Sequence, residues 1–315
     1  MNATTPIAPP ASLPPPGPTL YLIDASMYVF RAWHAMPDVF FDTDGNPVNA
    51  VHGFARFLLD FLDRTGASHA VTAFDIALTS SFRNAIYPAY KANRDPAPPE
   101  LKRQFQYCRE LAAAFGLPVL ADAAYEADDL IGSTLATMRG RGLHTVIVSA
   151  DKDFGQLLGP DAEQWDYARG QRWGAAGVRA RLGVDASQVV DFLALTGDAI
   201  DNIPGVPGIG AKGAAALLAH FGDLETLLAR VDEVPFLRLR GAKSLAAKVR
   251  ARADSARLSQ RLARIALDAP VPRTAGELQR QPADVAALDA LCERLRIGPL
   301  TRARARQLLV TEPAT

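Results

Sequence analysis

The chain has 315 residues, 49% of them hydrophobic and 22% charged, an ordinary globular balance that excludes a disordered, fibrous or membrane-embedded protein. Its formal net charge is +0, which taken alone speaks against a nucleic-acid partner. The signs are segregated, however: acids crowd residues 126–129, 151–153 and 198–201, whereas residues 238–264 are strongly basic with Asp254 their only acid.

In chain order, residues 1–18 are rich in proline and lack both the basic segment and the apolar core of a signal peptide, so a disordered tail is expected there. The run Leu20-Tyr-Leu-Ile-Asp24 is short, apolar and closed by an acid, and Ala70-Val-Thr-Ala-Phe-Asp75 and Thr145-Val-Ile-Val-Ser-Ala-Asp151 repeat that form. Each reads as a buried parallel strand with a carboxylate at its C-terminal end. Residues 50–62, between the first two, have helical periodicity with Val51, Phe54, Phe57, Leu58 and Phe61 on one face.

Strands alternating with helices predict an α/β fold with a parallel sheet, and sites in such sheets form beyond the carboxyl ends of the strands. A single aspartate there is more often a helix cap. Three of them, with further acids nearby, point to one site.

From residue 187 the pattern is helical, over 188–195, 212–220, 224–228 and 244–267. The predicted organisation is a catalytic α/β domain over 19–186, an all-α region over 187–300 with a short helix at 287–295, and an arginine-rich tail over 301–315. No apolar run approaches the length needed to cross a bilayer, so no membrane partner is expected. Cys108 and Cys292 stand far apart without companions at ligand spacing, which argues against a disulfide framework or a zinc site and fits a reducing cytoplasm. A monomer is the default expectation.

The acids carry the chemistry. Tyr125-Glu126-Ala127-Asp128-Asp129 opens a predicted helix with three carboxylates in four positions, a pattern that favourable charge at a helix N-terminus would also explain. Asp151 and Asp153 follow a strand, and Asp198 and Asp201 lie three apart. Hard oxygen donors in this number, without histidine or cysteine clusters, suit Mg²⁺ or Mn²⁺. Asp24, Asp75, Glu126, Asp128, Asp129, Asp151, Asp153, Asp198 and Asp201 exceed the needs of one such ion, so two ions and a phosphodiester hydrolysis are expected, some acids holding metal-bound water instead of metal.

These fragments, together with Ser81-Phe-Arg83, Tyr90-Lys91-Ala-Asn-Arg94 and the long motif Leu195-Thr-Gly-Asp-Ala-Ile-Asp-Asn-Ile-Pro-Gly-Val-Pro-Gly-Ile-Gly210, closely resemble the 5′-nuclease family. That family includes phage 5′-exonucleases, eukaryotic flap endonucleases and the N-terminal domain of bacterial DNA polymerase I. The resemblance implies a PIN-like (resolvase-like) nuclease domain with a helical arch, followed by an all-α helix-hairpin-helix (helix-three-turn-helix) region. It implies that Asp24, Asp75, Glu126 and Asp128 hold a first ion with Asp129 beside it, and that Asp151, Asp153, Asp198 and Asp201 serve a second.

By the same resemblance residues 81–104 form the arch, with Asp95-Pro-Ala-Pro-Pro99 disfavouring regular helix. Lys91 and Arg83 would then contact the scissile phosphate, and Arg31 matches a basic DNA-binding position near the site; by their chemistry Arg94 supplies a cation for phosphate and Tyr90 a ring for an unpaired base to stack on. Gly205, Gly208, Gly210 and Lys212 would grip duplex DNA, with K⁺ bound through hairpin carbonyls.

The expected activity is a 5′–3′ exonuclease and flap endonuclease acting on DNA at a free 5′ end or single/double-strand junction, in replication or repair, alone or with a separate polymerase. The rival reading, a non-catalytic structure-specific DNA-binding protein on the same scaffold, would be expected to have lost metal acids; none is missing.

Overall fold

Alternate side chains of a strand face opposite ways, and Leu20 and Leu22 enter one hydrophobic core while Ile23 enters another. The sheet is therefore covered on both sides. The protein, seen in a computed structural model describing residues 18–76 and 81–310, has strands β1 (Thr19–Asp24), β2 (His69–Asp75), β3 (Val119–Asp122), β4 (His144–Val148), β5 (Ala162–Asp166) and β6 (Gln171–Trp173). They form one sheet in the order β3-β2-β1-β4-β5-β6, parallel except for β6.

Helices α1 (Ala25–Ala35), α2 (Asn49–Thr65) and α4 (Pro99–Ala114) cover one face. Phe54, Leu58 and Phe61 of α2 are fully buried there, as the periodicity predicted. Gly53 lets α1 and α2 approach, because a Cβ at that position would lie 2.7 Å from Ala32 Cβ. A short helix, α3 (Phe82–Ile86), precedes α4, and α5 (Ala127–Met138) covers the opposite face of the sheet.

After α6 (Ala175–Leu182) the chain is helical: α7 (Val189–Thr196), α8 (Ala211–Phe221), α9 (Leu224–Ala229), α10 (Ala242–Ala251) and α11 (Ala253–Ala263). Their core is continuous with that of α5 and the sheet. The single helix expected over 244–267 is two. Arg252, at φ −126°, breaks it. The break turns α11 so that Ser255 Oγ donates to the Gly205 carbonyl at 2.8 Å and Ser259 Oγ accepts from the Gly205 N–H at 2.9 Å.

Two expectations are corrected at the C-terminus. Residues 301–310, predicted as tail, belong to a helix, and the last part of the region assigned to the helical domain returns to the sheet. Helices α12 (Val285–Arg294) and α13 (Pro299–Val310) pack on the α2/α4 layer, burying Leu288, Ala305 and Leu309 in its core. Arg304 pairs with Asp63 at 2.8 Å, and the Gln281 N–H donates to the Gly116 carbonyl at 2.8 Å. The Arg-rich stretch is thus a helix whose apolar residues face inward while its guanidiniums reach acids on α2 and α12. Residues 1–17, expected to be disordered, and 311–315 lie outside the described residues. Among those described, no helix is long and apolar enough to cross a membrane.

Candidate active site

In this strand order the chain leaves β1 towards β2 and β3, then returns on the other side at β4, so the crevice between the β1 and β4 ends is the natural site. Asp24 ends β1 and caps α1, its Oδ1 accepting from the Met27 N–H at 3.1 Å. Its Oδ2 accepts from Ser149 Oγ, just beyond β4, at 2.8 Å. Asp75 ends β2 and accepts from the Ala127 N–H at 2.9 Å, which ties it to the start of α5, where Asp128 lies. Asp151 caps the 3₁₀ turn Lys152–Leu157 through the Asp153 N–H at 2.9 Å. Gln164 of β5 braces that turn by donating to the Asp151 carbonyl at 2.5 Å and the Ser149 carbonyl at 3.0 Å. Capping and site formation are therefore the same act for Asp24 and Asp151.

The carboxyls repel one another. Burial, reinforced by Asp75 and Asp151, raises the Asp24 pKa from 3.8 to about 7. Burial with Asp24, Asp151 and Asp75 beside it pushes Asp128 well above the ordinary range. Asp153 is raised to about 7 by burial and Asp151, and its Oδ1 is buried without a hydrogen bond. As the side chains stand, no three or more acids, cysteines or histidines among the described residues enclose a metal ion. Protein cations sit among the acids instead. Lys91 Nζ donates to Glu126 Oε2 at 2.8 Å and lies 3.9 Å from Asp201. Arg94 pairs with Asp201, and Lys152 pairs with Asp198 and, at 3.2 Å, with Asp153. Burial alone would depress Lys91, but Glu126 and Asp201 raise its pKa and keep it charged. Asp198 is pulled up by burial, yet the bond and charge of Lys152 hold it below the usual range.

The segment expected to form an arch is helical only over α3 and from Pro99 onward; between them it lies down as a turn on the acidic 198–202 loop. The Lys91 N–H donates to the Asp201 carbonyl at 3.0 Å, Asn93 Nδ2 to the Ala199 carbonyl at 2.7 Å, and Asn202 Nδ2 to the Ala89 carbonyl at 2.6 Å. Lys91 and Asn202 each adopt positive φ, 55°, to make this clasp.

Behind the loop, Gly205 at φ +59° approaches Gly197 so closely that a Cβ would lie 2.3 Å from the Gly197 nitrogen. The hairpin then opens α8, with Gly210 as its cap residue and Lys212 exposed in its first turn. Lys248 of α10 donates to the Gly208 carbonyl at 3.0 Å, and Ser255 occupies that of Gly205.

Residues 19–183 match the family described as 5′–3′ exonuclease, N-terminal resolvase-like domain, and residues 184–286 match the 5′–3′ exonuclease C-terminal SAM fold. The chain belongs to the 5′–3′ exonuclease family. It is 37% identical over 292 residues to DNA polymerase I of Rhizobium leguminosarum, covering 91% of this chain and 28% of that protein. Against DNA polymerase I of Pseudomonas aeruginosa the identity is 40% over 250 residues, covering 79% and 27%. The exonuclease chain thus spans under a third of the length of these curated relatives. In fold it is similar to T5 5′-exonuclease with bound zinc (TM-score 0.64, 20% identity, 92% of this chain and 98% of the other). It is similar also to the catalytic core of Rad2 in complex with DNA substrate (TM-score 0.60, 16% identity, 93% and 92%).

In this chain three expected residues are turned elsewhere. Arg83 is 3% exposed and cannot reach a phosphate: its guanidinium grips Asp129 at 2.7 and 2.8 Å and donates to the Leu262 and Arg264 carbonyls. Asp129 is 0% exposed. It also accepts from the Glu126 and Ala266 N–H groups, so it closes a capping box and a buried ion pair instead of facing the crevice. Tyr90 is 3% exposed and unavailable to stack on a base; its hydroxyl donates to Glu126 at 3.1 Å and Asp201 at 3.3 Å. Burial and these acids raise its pKa and keep it a donor. Arg31 is exposed on α1. Ser149, Gln164, Lys152 and Lys248 were not singled out from the sequence. Ser149 lies in the run that ends at Asp151 and Lys152 between Asp151 and Asp153, so both were legible; Lys248 lies in the basic 238–264 stretch, and Gln164 belongs to a strand with no motif.

Proposed function

We propose that this exonuclease hydrolyses DNA phosphodiesters at free 5′ ends and 5′ flaps, using two divalent cations, in replication or repair. The observation that carries this is the meeting of Asp24, Asp75, Asp128, Asp151 and Asp153 at the β1/β4 crevice, with three of those carboxyls forced upward in pKa. Such mutual repulsion is what a bound cation relieves, and the buried Asp153 Oδ1, now ion-paired with the Lys152 ammonium at 3.2 Å, is an oxygen such a cation would take. The donor set is all oxygen, which fits Mg²⁺ or Mn²⁺. That a related fold, T5 5′-exonuclease, has been seen with divalent metal, and another, Rad2, with DNA, supports the same reading.

Asp24, Asp75 and Asp128 would hold one ion and Asp151, Asp153 and Asp198 the other, with Glu126 and Asp201 beside them. When bound, two such ions activate water and neutralise the leaving oxygen of an in-line displacement. The protein's own contribution is positional. Ser149 fixes Asp24, Ala127 N–H fixes Asp75, and Gln164 fixes the Asp151 turn. Lys91, held charged at the rim by Glu126, meets the charge that develops on the scissile phosphate. Duplex DNA lies on the hairpin and the start of α8, where backbone N–H groups face outward, with the basic faces of α10 and α11 alongside. The 5′ strand runs towards the 89–94 clasp, whose arginine and lysine neutralise it. A potassium ion at the hairpin is not included, because it would share the Gly208 carbonyl with the Lys248 ammonium, a like charge.

The test is cleavage of a 5′-flap oligonucleotide with Mg²⁺ by wild type and Asp151→Asn. Wild type is expected to cut near the junction, and the variant to lose most cleavage while binding the DNA. Wild type that binds the flap yet never cuts with any divalent metal would end the proposal.

A further inference from the structure

Lys152 is sequestered by the acids that the two-ion reading assigns to its second ion. Its ammonium is paired with Asp198 and lies 3.2 Å from Asp153 Oδ1, the buried oxygen that has no hydrogen bond. Asp198 is held from behind by the Ile200 N–H at 2.8 Å, so its carboxylate stays in place whether or not the lysine does. The Lys152 side chain is 45% exposed, leaving it an open path to solvent. Its backbone is held on the N-terminal side, where Asp151 caps the turn in which Lys152 lies.

We infer that Lys152 is a tethered counter-ion for the Asp151, Asp153 and Asp198 group, which a divalent cation must displace in order to bind there. The inference rests on the two-ion reading and adds an asymmetry to it. The Asp24, Asp75 and Asp128 group is faced by Lys91, but among the described residues that ammonium is ion-paired with Glu126 and Asp201 and acts on Asp75 and Asp128 only through its field. The two ions therefore bind unequally, and Lys152 sets the weaker step. With Lys152 45% exposed but Asp198 and Asp153 only 9% and 16% exposed, such a pair is worth about 1 kcal/mol, the upper end for exposed pairs, or about fivefold in affinity. Two contacts made by one ammonium bring the effect to at least that.

The experiment counts free Mn²⁺ by electron paramagnetic resonance during titration of the full chain, without DNA, for wild type, Lys152→Met and Lys152→Arg. Methionine keeps the stem and removes the charge; arginine keeps the charge. Wild type is expected to bind two Mn²⁺ in unequal steps. In Lys152→Met the weaker step tightens about fivefold or more while the stronger step stays unchanged, and Lys152→Arg behaves as wild type. Tightening of both steps equally would show a general field effect, and an unchanged weaker step would show no displacement; either overturns the inference while leaving two ions in place. Wild type that binds fewer than two Mn²⁺ overturns the two-ion reading itself, and the inference with it.

Discussion

Arg83→Leu separates the buried role of Arg83 from the phosphate-binding one that the sequence suggested. The wild-type guanidinium makes two bonds to Asp129, at 2.7 and 2.8 Å, and two to the carbonyls of Leu262 and Arg264, at 2.8 and 2.9 Å. Arg83 and Asp129 are 3% and 0% exposed. Removing the arginine leaves a carboxylate in the interior with only the Glu126 and Ala266 N–H groups to support it. Stranding one partner of such a pair costs about 3–5 kcal/mol. At about 2–4 °C per kcal/mol, the melting temperature should fall by roughly 6–20 °C. The double variant Arg83→Leu/Asp129→Leu should recover much of that loss, because the stranded charge is gone. The assay is thermal unfolding by circular dichroism, run beside flap cleavage well below the melt. A single variant that melts with wild type but no longer cleaves would place Arg83 on the substrate and refute the buried assignment.

Lys91→Ala should lower turnover on a flap by about 100-fold, the scale of losing one positioned charge donor, while duplex affinity changes far less; equal losses in both would remove its role at the phosphate. Asp24→Asn should raise the thermal stability of the metal-free protein at pH 8. The Asp24 carboxyl has a folded pKa of about 7 against 3.8 unfolded. The folded state therefore holds more protons between those values, and the metal-free wild type loses stability as pH rises from about 4 to about 7. The variant should show a flatter profile in melts across that range, and an identical profile would show that Asp24 is not strained. Gly205→Ala puts a Cβ 2.3 Å from the Gly197 nitrogen at φ +59°, which should cost at least about 1–3 kcal/mol. Unaltered melting and duplex binding would show that the hairpin can relax.

Much of the site was legible because strand and cap share residues. An apolar run ending in aspartate declares both its burial and the direction of its carboxylate, so Asp24 and Asp75 could be placed beyond the sheet from the sequence. Asp151 was placed one element too early: β4 ends at Val148, and the aspartate caps the turn that follows. The short strands β3, β5 and β6 went unread, since a strand such as Val119–Asp122 carries too few residues to show a period. The final helices were unread for another reason. In α13 arginines alternate with small residues, and nothing local says that Ala305 and Leu309 meet α2, more than two hundred residues earlier.

The misplaced residues share one physical cause. Arg83, Tyr90 and Asp129 are chemically suited to a phosphate, a base or a metal, and a motif reports only that suitability. Which way a side chain points is decided by long-range partners: Arg83 by the carbonyls at the end of α11, Asp129 by Ala266, and Tyr90 by Asp201 of the loop on which its segment folds. All three tie the α/β domain to the helical one. Their charge and polarity hold the two halves together around the crevice, while the residues left at its rim are Lys91, Arg94 and Lys152. A basic residue beside an acidic motif therefore has two possible uses here, to weld the halves or to meet the substrate. Burial separates them, which is why removing Arg83 should lower the melting temperature and removing Lys91 should mainly slow cleavage.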